Sequence, residues 1–154
     1  MIGNSTGVML AFLPTETYWG KQPLPHMTLV YCGSIEDVSF AQFNDIAKDA
    51  LSVVRLMRRP FSLDVTGVDV FGDGDGDNPK VDVLTLGVTP QLQMARRLVQ
   101  IWNASQHAFN PHVTVGPEGS AEGDLPTQLY FDRLLAAWGP KSLTFRLGGE
   151  PRDY

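Results

Sequence analysis

At 154 residues, with 43% hydrophobic and 19% charged side chains, the chain has the size and make-up of one soluble globular domain. Disordered and membrane classes fit poorly, since no apolar run approaches the roughly 20 residues of a membrane span and the amino end lacks a signal-peptide layout; the expected location is the cytoplasm, or the host cytoplasm for a viral protein. A formal charge of −5 disfavours a grip on long DNA or RNA but allows a small phosphorylated ligand, and the lone Cys32 excludes an internal disulfide or a multi-thiolate zinc site.

In chain order, Val8 to Leu13 is a continuous apolar run and reads as a buried strand, with Pro14 opening a loop that bears Tyr18 and Trp19 and reaches Pro25. His26 to Tyr31 reads as the second strand. Ser39 and Gln42 have capping-box spacing, and Phe43, Ile46, Ala47, Ala50, Leu51 and Val54 follow at helical intervals, which predicts a helix from Val38 to Met57. Beyond Pro60, Phe61, Leu63 and Val65 alternate with polar partners, and Val81 to Val88 is rich in strand formers, with a Gly/Asp hairpin turn between the two. Leu92, Ala95, Val99 and Trp102 share a helical face, predicting a second helix from Pro90 to about Ser105. A strand follows at His112 to Val115, then an element around Leu129 to Ala137 and a final strand at Ser142 to Leu147. No linker divides the chain, so a single domain spanning 1–154 with two similar lobes is expected.

The informative feature is a repeated pattern, His26-Met27-Thr28-Leu29 and His112-Val113-Thr114-Val115, introduced by Pro25 and Pro111. Strand alternation puts each histidine and threonine on one face and their apolar neighbours on the other, where a helix can cover them. Gly116 is expected on the same polar face, where the missing side chain would admit a ligand closely. Two imidazoles facing one phosphodiester suit its cleavage: one deprotonates the attacking hydroxyl or water, the other protonates the leaving oxygen, and a histidine pKa near 6.5 permits both roles. The threonine hydroxyls can donate to the non-bridging oxygens. One His-x-Thr alone is ordinarily structural, but two of only three histidines in equivalent places favour a joint role. The scheme requires no metal and no cofactor.

On Pro25-His26-Met27-Thr28-Leu29 and Phe109-Asn110-Pro111-His112-Val113-Thr114-Val115, the sequence resembles the 2H phosphoesterase superfamily, which includes RNA-ligase-like and cyclic phosphodiesterases. The resemblance implies a bilobal α+β fold, two antiparallel sheets facing a central cleft with helices outside, and matches His26, Thr28, His112 and Thr114 to the catalytic residues. It implies action on 2′,3′-cyclic phosphates, 2′-5′ linkages, ADP-ribose cyclic phosphate or, among viral members, cyclic oligonucleotide signals of antiviral defence. Many relatives carry a basic residue after the second motif. Here Gly116-Pro117-Glu118 follows, so phosphate contacts are expected from elsewhere.

Tyr18 and Trp19 are candidates for stacking on a nucleobase, and Arg146, which shares a face with Ser142 and Thr144, is a candidate phosphate ligand or surface ion pair. Asp73, Asp75 and Asp77 resemble the start of a calcium loop, but Asn78 and Leu84 stand where that pattern needs glycine and glutamate, so a solvated turn is the better reading. His107 is placed near the end of the second helix and outside the site. Trp102 is expected in the core, and Trp138 either packs or reaches the cleft. The leading functional reading is a metal-independent phosphodiesterase acting on a small cyclic or 2′-5′-linked nucleotide, without long nucleic acid or membrane as partner. Competing readings are a protein that sequesters a cyclic nucleotide uncleaved, and a zinc hydrolase using His26, His107 and His112. Which histidine is acid, and the oligomeric state, are left open by the sequence.

Overall fold

A computed structural model of the chain describes residues 6–15, 25–76, 78–123 and 125–148. Helix α1 (Phe40–Met57) starts where its sequence signal predicts: Gln42 N–H donates to the Ser39 hydroxyl at 3.1 Å, and Ser39 N–H donates to Gln42 Oε1 at 2.8 Å. This reciprocal cap satisfies two amide donors that a helix start would otherwise leave open. The buried face of α1 carries Phe43, Ile46, Ala50, Val53, Val54 and Met57. Helix α2 (Pro90–Val99) is capped by Thr89 and has proline in its first turn. It ends earlier than its apolar stripe predicts. A single 3-10 turn, Gln100–Trp102, carries the stripe to Trp102, whose Nε1–H donates to Asp49 Oδ2 at 2.6 Å, and Trp102 packs on the core as expected.

The strands are β1 (Gly7–Pro14), β2 (Met27–Ser34), β3 (Phe61–Phe71), β4 (Val81–Leu86), β5 (His112–Pro117), β6 (Gln128–Trp138) and β7 (Lys141–Arg146). Every pairing is antiparallel, in the order β2-β1-β6-β3-β4-β5. β7 and the first residues of β3 lie end to end along one edge of β6. The expected α+β architecture is present, and its two sheets are joined because β3 belongs to both: Phe61–Asp64 pair with β6, and Val65–Phe71 pair with β4. The path does not close through hydrogen bonds, but its two ends, β2 and β5, lie in contact.

The main core joins Val8, Leu10 and Phe12 of β1 to the buried face of α1, to Leu92 and Ala95 of α2, and to Val113 and Val115 of β5. Each fully buried aliphatic side chain contributes roughly 1.5–3 kcal/mol, so this layer fixes where the two motif strands stand. A second cluster, Met9, Ala11, Leu13, Leu135 and Ala137, occupies the opposite face of β1 and β6. The register identifies that face as the one Thr28 shares, because Ala11 stands opposite Thr28 on one side and Leu135 on the other. Among the described residues no helix is long and apolar enough to cross a membrane.

Candidate active site

On β2 the alternation holds through the motif: Met27 and Leu29 are fully buried while His26, just ahead of the strand, and Thr28 are half-buried. The pairing with β1 then shifts, Ala11 standing opposite Thr28 and Leu10 opposite Val30, so Leu29 is an extra, bulged residue. Adjacent β1 residues point to opposite faces, so the bulge sends Val30 into the core and brings Tyr31, opposite Met9, onto the face of Thr28. Strict alternation assigns Tyr31 to the greasy face and misses it; the consecutive apolar pair Leu29-Val30 is the signal that could have revealed the bulge. The Thr28 hydroxyl meets the thioether of Met9 at 3.8 Å, a weak acceptor that a phosphate oxygen would outcompete.

β5 begins at His112 itself. Its Nδ1 lies 2.7 Å from the Asn110 carbonyl oxygen. A carbonyl only accepts, so Nδ1 carries the proton and Nε2 is left for proton exchange. The Phe71 ring meets the imidazole edge-on, centroids 4.6 Å apart, which further restricts its rotation. Thr114 shares the His112 face, since Thr85 and Val83 of β4 stand opposite the two. Val115 is then bulged, as Leu29 is on β2, and Gly116 comes opposite Asp82 on the other face. A Cβ on Gly116 would lie 2.7 Å from Ser120 Oγ. The expectation that Gly116 admits a ligand is therefore corrected: the bulge turns it to the core side, where Ser120 fills the space.

Thr28 and His112, from opposite ends of the strand path, line one cavity of about 790 Å³. Tyr31, Phe71 and Phe109 give it aromatic walls, and Gly72, Asp73 and Asn78 of the β3–β4 hairpin form part of its rim. Gly72 has φ 100, and a side chain there would strike the Pro79 carbonyl, so only glycine fits. Arg96 of α2 also lines the cavity: Nη1 donates to the Leu29 carbonyl at 2.6 Å, Nε to Gln100 Oε1 at 2.7 Å, and the guanidinium lies 5.0 Å from the Phe109 ring centre. Burial lowers the pKa of Arg96, which remains a cation at working pH, and pushes the nearby Cys32 thiol up to about 12.

A family model for the 2′-5′ RNA ligase superfamily matches residues 16–146. The chain belongs to that superfamily. It is accordingly a two-histidine phosphoesterase, as the paired motifs implied, and a phosphodiesterase. Among solved structures, Usb1 of Kluyveromyces marxianus is similar over 92% of this chain and 97% of its own, with a TM-score of 0.58 at 12% identity. TT0787 of Thermus thermophilus matches at 17% identity and TM-score 0.49, covering 94% of this chain and 99% of its own. E. coli LigT complexed with NADP+ gives the same identity of 17%, TM-score 0.49 and coverage of 94% and 99%. No curated protein sequence matches. The Usb1 likeness supports the fold.

Several expectations for this superfamily member are placed by the structure. Of the four motif residues, Thr28 and His112 line the cavity; Thr114 stands on the His112 face of β5, and His26 directly precedes β2. Arg146 stands opposite Arg133, itself opposite Leu13, so it lies on the Thr28 face of the sheet, three strands from β2 and away from the cavity. Tyr18 and Trp19 lie outside the described residues. The sequence places His107 near a helix end and outside the site; because α2 and its 3-10 turn stop at Trp102, it instead falls in the following loop, on the cavity wall. Trp138 packs: its Nε1–H donates to the Val38 carbonyl at 2.8 Å and its ring meets Phe40. The Asp/Gly segment is a turn held by Gly74 N–H to Asn78 O at 3.0 Å and Asn78 N–H to Asp75 O at 2.8 Å. Among the described residues no three His, Cys, Asp or Glu side chains are grouped to hold a metal ion, so His26, His107 and His112 do not assemble a zinc triad.

Proposed function

We propose that this phosphodiesterase cleaves small cyclic or 2′-5′-linked nucleotides without a metal, using His26 and His112 as its acid/base pair. The observation that carries the reading is the meeting of Thr28 and His112 on one cavity wall, with the His112 tautomer fixed by Asn110. One imidazole takes the proton of the attacking hydroxyl or water, and the other gives a proton to the leaving ribose oxygen. Thr28 and Thr114 donate to the non-bridging oxygens as charge builds there. Arg96 places a fixed cation beside the cavity.

The cavity volume lies in the upper part of the roughly 300–1,000 Å³ range of small-molecule sites, room for a few nucleotide units but not for a duplex. Tyr31, Phe71 and Phe109 offer faces for base stacking. Of the biological roles compatible with this chemistry, we favour destruction of a cyclic oligonucleotide signal over trimming of RNA ends, because aromatic rings from both lobes flank the cavity.

The test is chromatography of metal-free protein, with and without EDTA, against 2′,3′-cyclic mononucleotides, 2′-5′-linked oligoadenylates and cyclic dinucleotides. Chelator-resistant cleavage of one class, lost in His26→Ala and His112→Ala, is expected. Recovery of unaltered ligand bound to stoichiometric protein would replace this reading with sequestration.

A further inference from the structure

Among the described residues β2 is the last strand at its end of the sheet path, and its outer edge pairs with no strand there. Two of its carbonyls are met from the other lobe. The Leu29 carbonyl accepts from Arg96 Nη1 at 2.6 Å, and the Tyr31 carbonyl accepts from Ala104 N–H at 2.8 Å. Leu29 is the bulged residue directly after Thr28. The same guanidinium lies over Phe109, three residues before His112, and is steadied through Nε by Gln100. One side chain thus touches the strand of the first motif and the approach to the second.

From this juxtaposition we infer that Arg96 is a positioning residue that sets the separation of the two His-x-Thr strands. The assignment rests on the two-histidine reading above. The geometry needs arginine: a flat guanidinium can donate along two directions in its plane while presenting a face to an aromatic ring, whereas an ammonium is a point donor. Misplacing one reacting group by about 1 Å costs on the order of a hundredfold in rate, so loss of the tie is expected in turnover and not in affinity.

The experiment compares Arg96→Met and Arg96→Lys with the parent on the nucleotide that the panel above identifies, with folding checked by thermal melting. Arg96→Met is expected to lower kcat by about a hundredfold with KM within about twofold, and Arg96→Lys to recover part of the loss. The decisive reading is a double-mutant cycle. In a His112→Ala background, where the histidine pair is already broken, Arg96→Met should cost less than about threefold more, residual turnover being followed over hours.

A loss appearing mainly in KM, or a full second loss in the His112→Ala background, would overturn the assignment in favour of direct phosphate contact. Full turnover in folded Arg96→Met would overturn it outright. Should Arg96→Met fail to fold, Arg96→Lys in the same cycle decides. The underlying reading fails separately: it falls if His26→Ala and His112→Ala both keep full turnover, whatever Arg96 does.

Discussion

β2 and β5 carry the same device and use it differently. Each follows a proline, carries a His-x-Thr motif at its start, and bulges at the residue directly after the threonine, Leu29 in one and Val115 in the other. In each, the bulge turns the next residue to the core side. On β2 that residue is Val30, which fills the core with its own side chain; on β5 it is Gly116, and Ser120 supplies the missing atoms. One position further, β2 delivers Tyr31 to the cavity, while β5 delivers exposed Pro117, which does not line it. Two strands with the same bulge thus give an asymmetric site, with the β2 side adding an aromatic platform and the β5 side a fixed imidazole.

Removing one histidine at a time separates the two strands most clearly. His26→Ala and His112→Ala should each lower kcat by about 10²–10⁴-fold, measured chromatographically in EDTA. Retention of turnover in only one of them would mean that the two strands share the bulge but not the chemistry. Next in size, Tyr31→Ala should raise KM about tenfold with little change in kcat, as expected for a lost stacking surface, while Pro117→Ala leaves both within about twofold. Equal effects would erase the asymmetry proposed for the third position after the threonine.

A smaller effect tests the glycine. Gly116→Ala forces Ser120 Oγ from its place and from its bond to the Pro117 carbonyl, at a cost of about 1 kcal/mol, or roughly 2–4 °C in Tm for a chain of this size. KM should not change. A raised KM with unchanged Tm would place Gly116 against the ligand after all. The smallest prediction concerns Cys32 on β2. Its folded pKa, about 12, lies above the ordinary thiol value, so the unfolded chain releases this proton at lower pH than the folded one. The stability it contributes is complete below about pH 8.5 and is lost as pH rises towards 12. Denaturant melts of the parent should therefore fall more steeply over that window than those of Cys32→Ala.

Local signals made most of the fold legible. The Ser39/Gln42 box fixed the start of α1, and the apolar run at Val8 marked β1. The end of α2 is harder to read, because the apolar stripe runs on to Trp102, which still packs on the core from a 3-10 turn while Gln100 and Ile101 face outward, and this shifts His107 into the loop beyond. The paired motifs signal the family because each lies within four residues. Tyr31, Phe71, Phe109 and Arg96 carry no such signal: a bulge reverses the parity on which the face assignment depends, and the tie from Arg96 to Leu29 spans two elements that only the tertiary fold brings together. The Asp/Gly composition signals a turn, but nothing local signals that it borders the cavity.

β3 passes from one sheet into the other without a break, its register shifting between Val65 and Gly67. The walls of the cavity are therefore not two bodies joined by a tether. Any widening of the mouth would load this strand as a leaf spring, together with the bonds that Arg96 and Ala104 make to β2. Amide exchange in β3 near Gly67 would then keep time with the opening of the mouth.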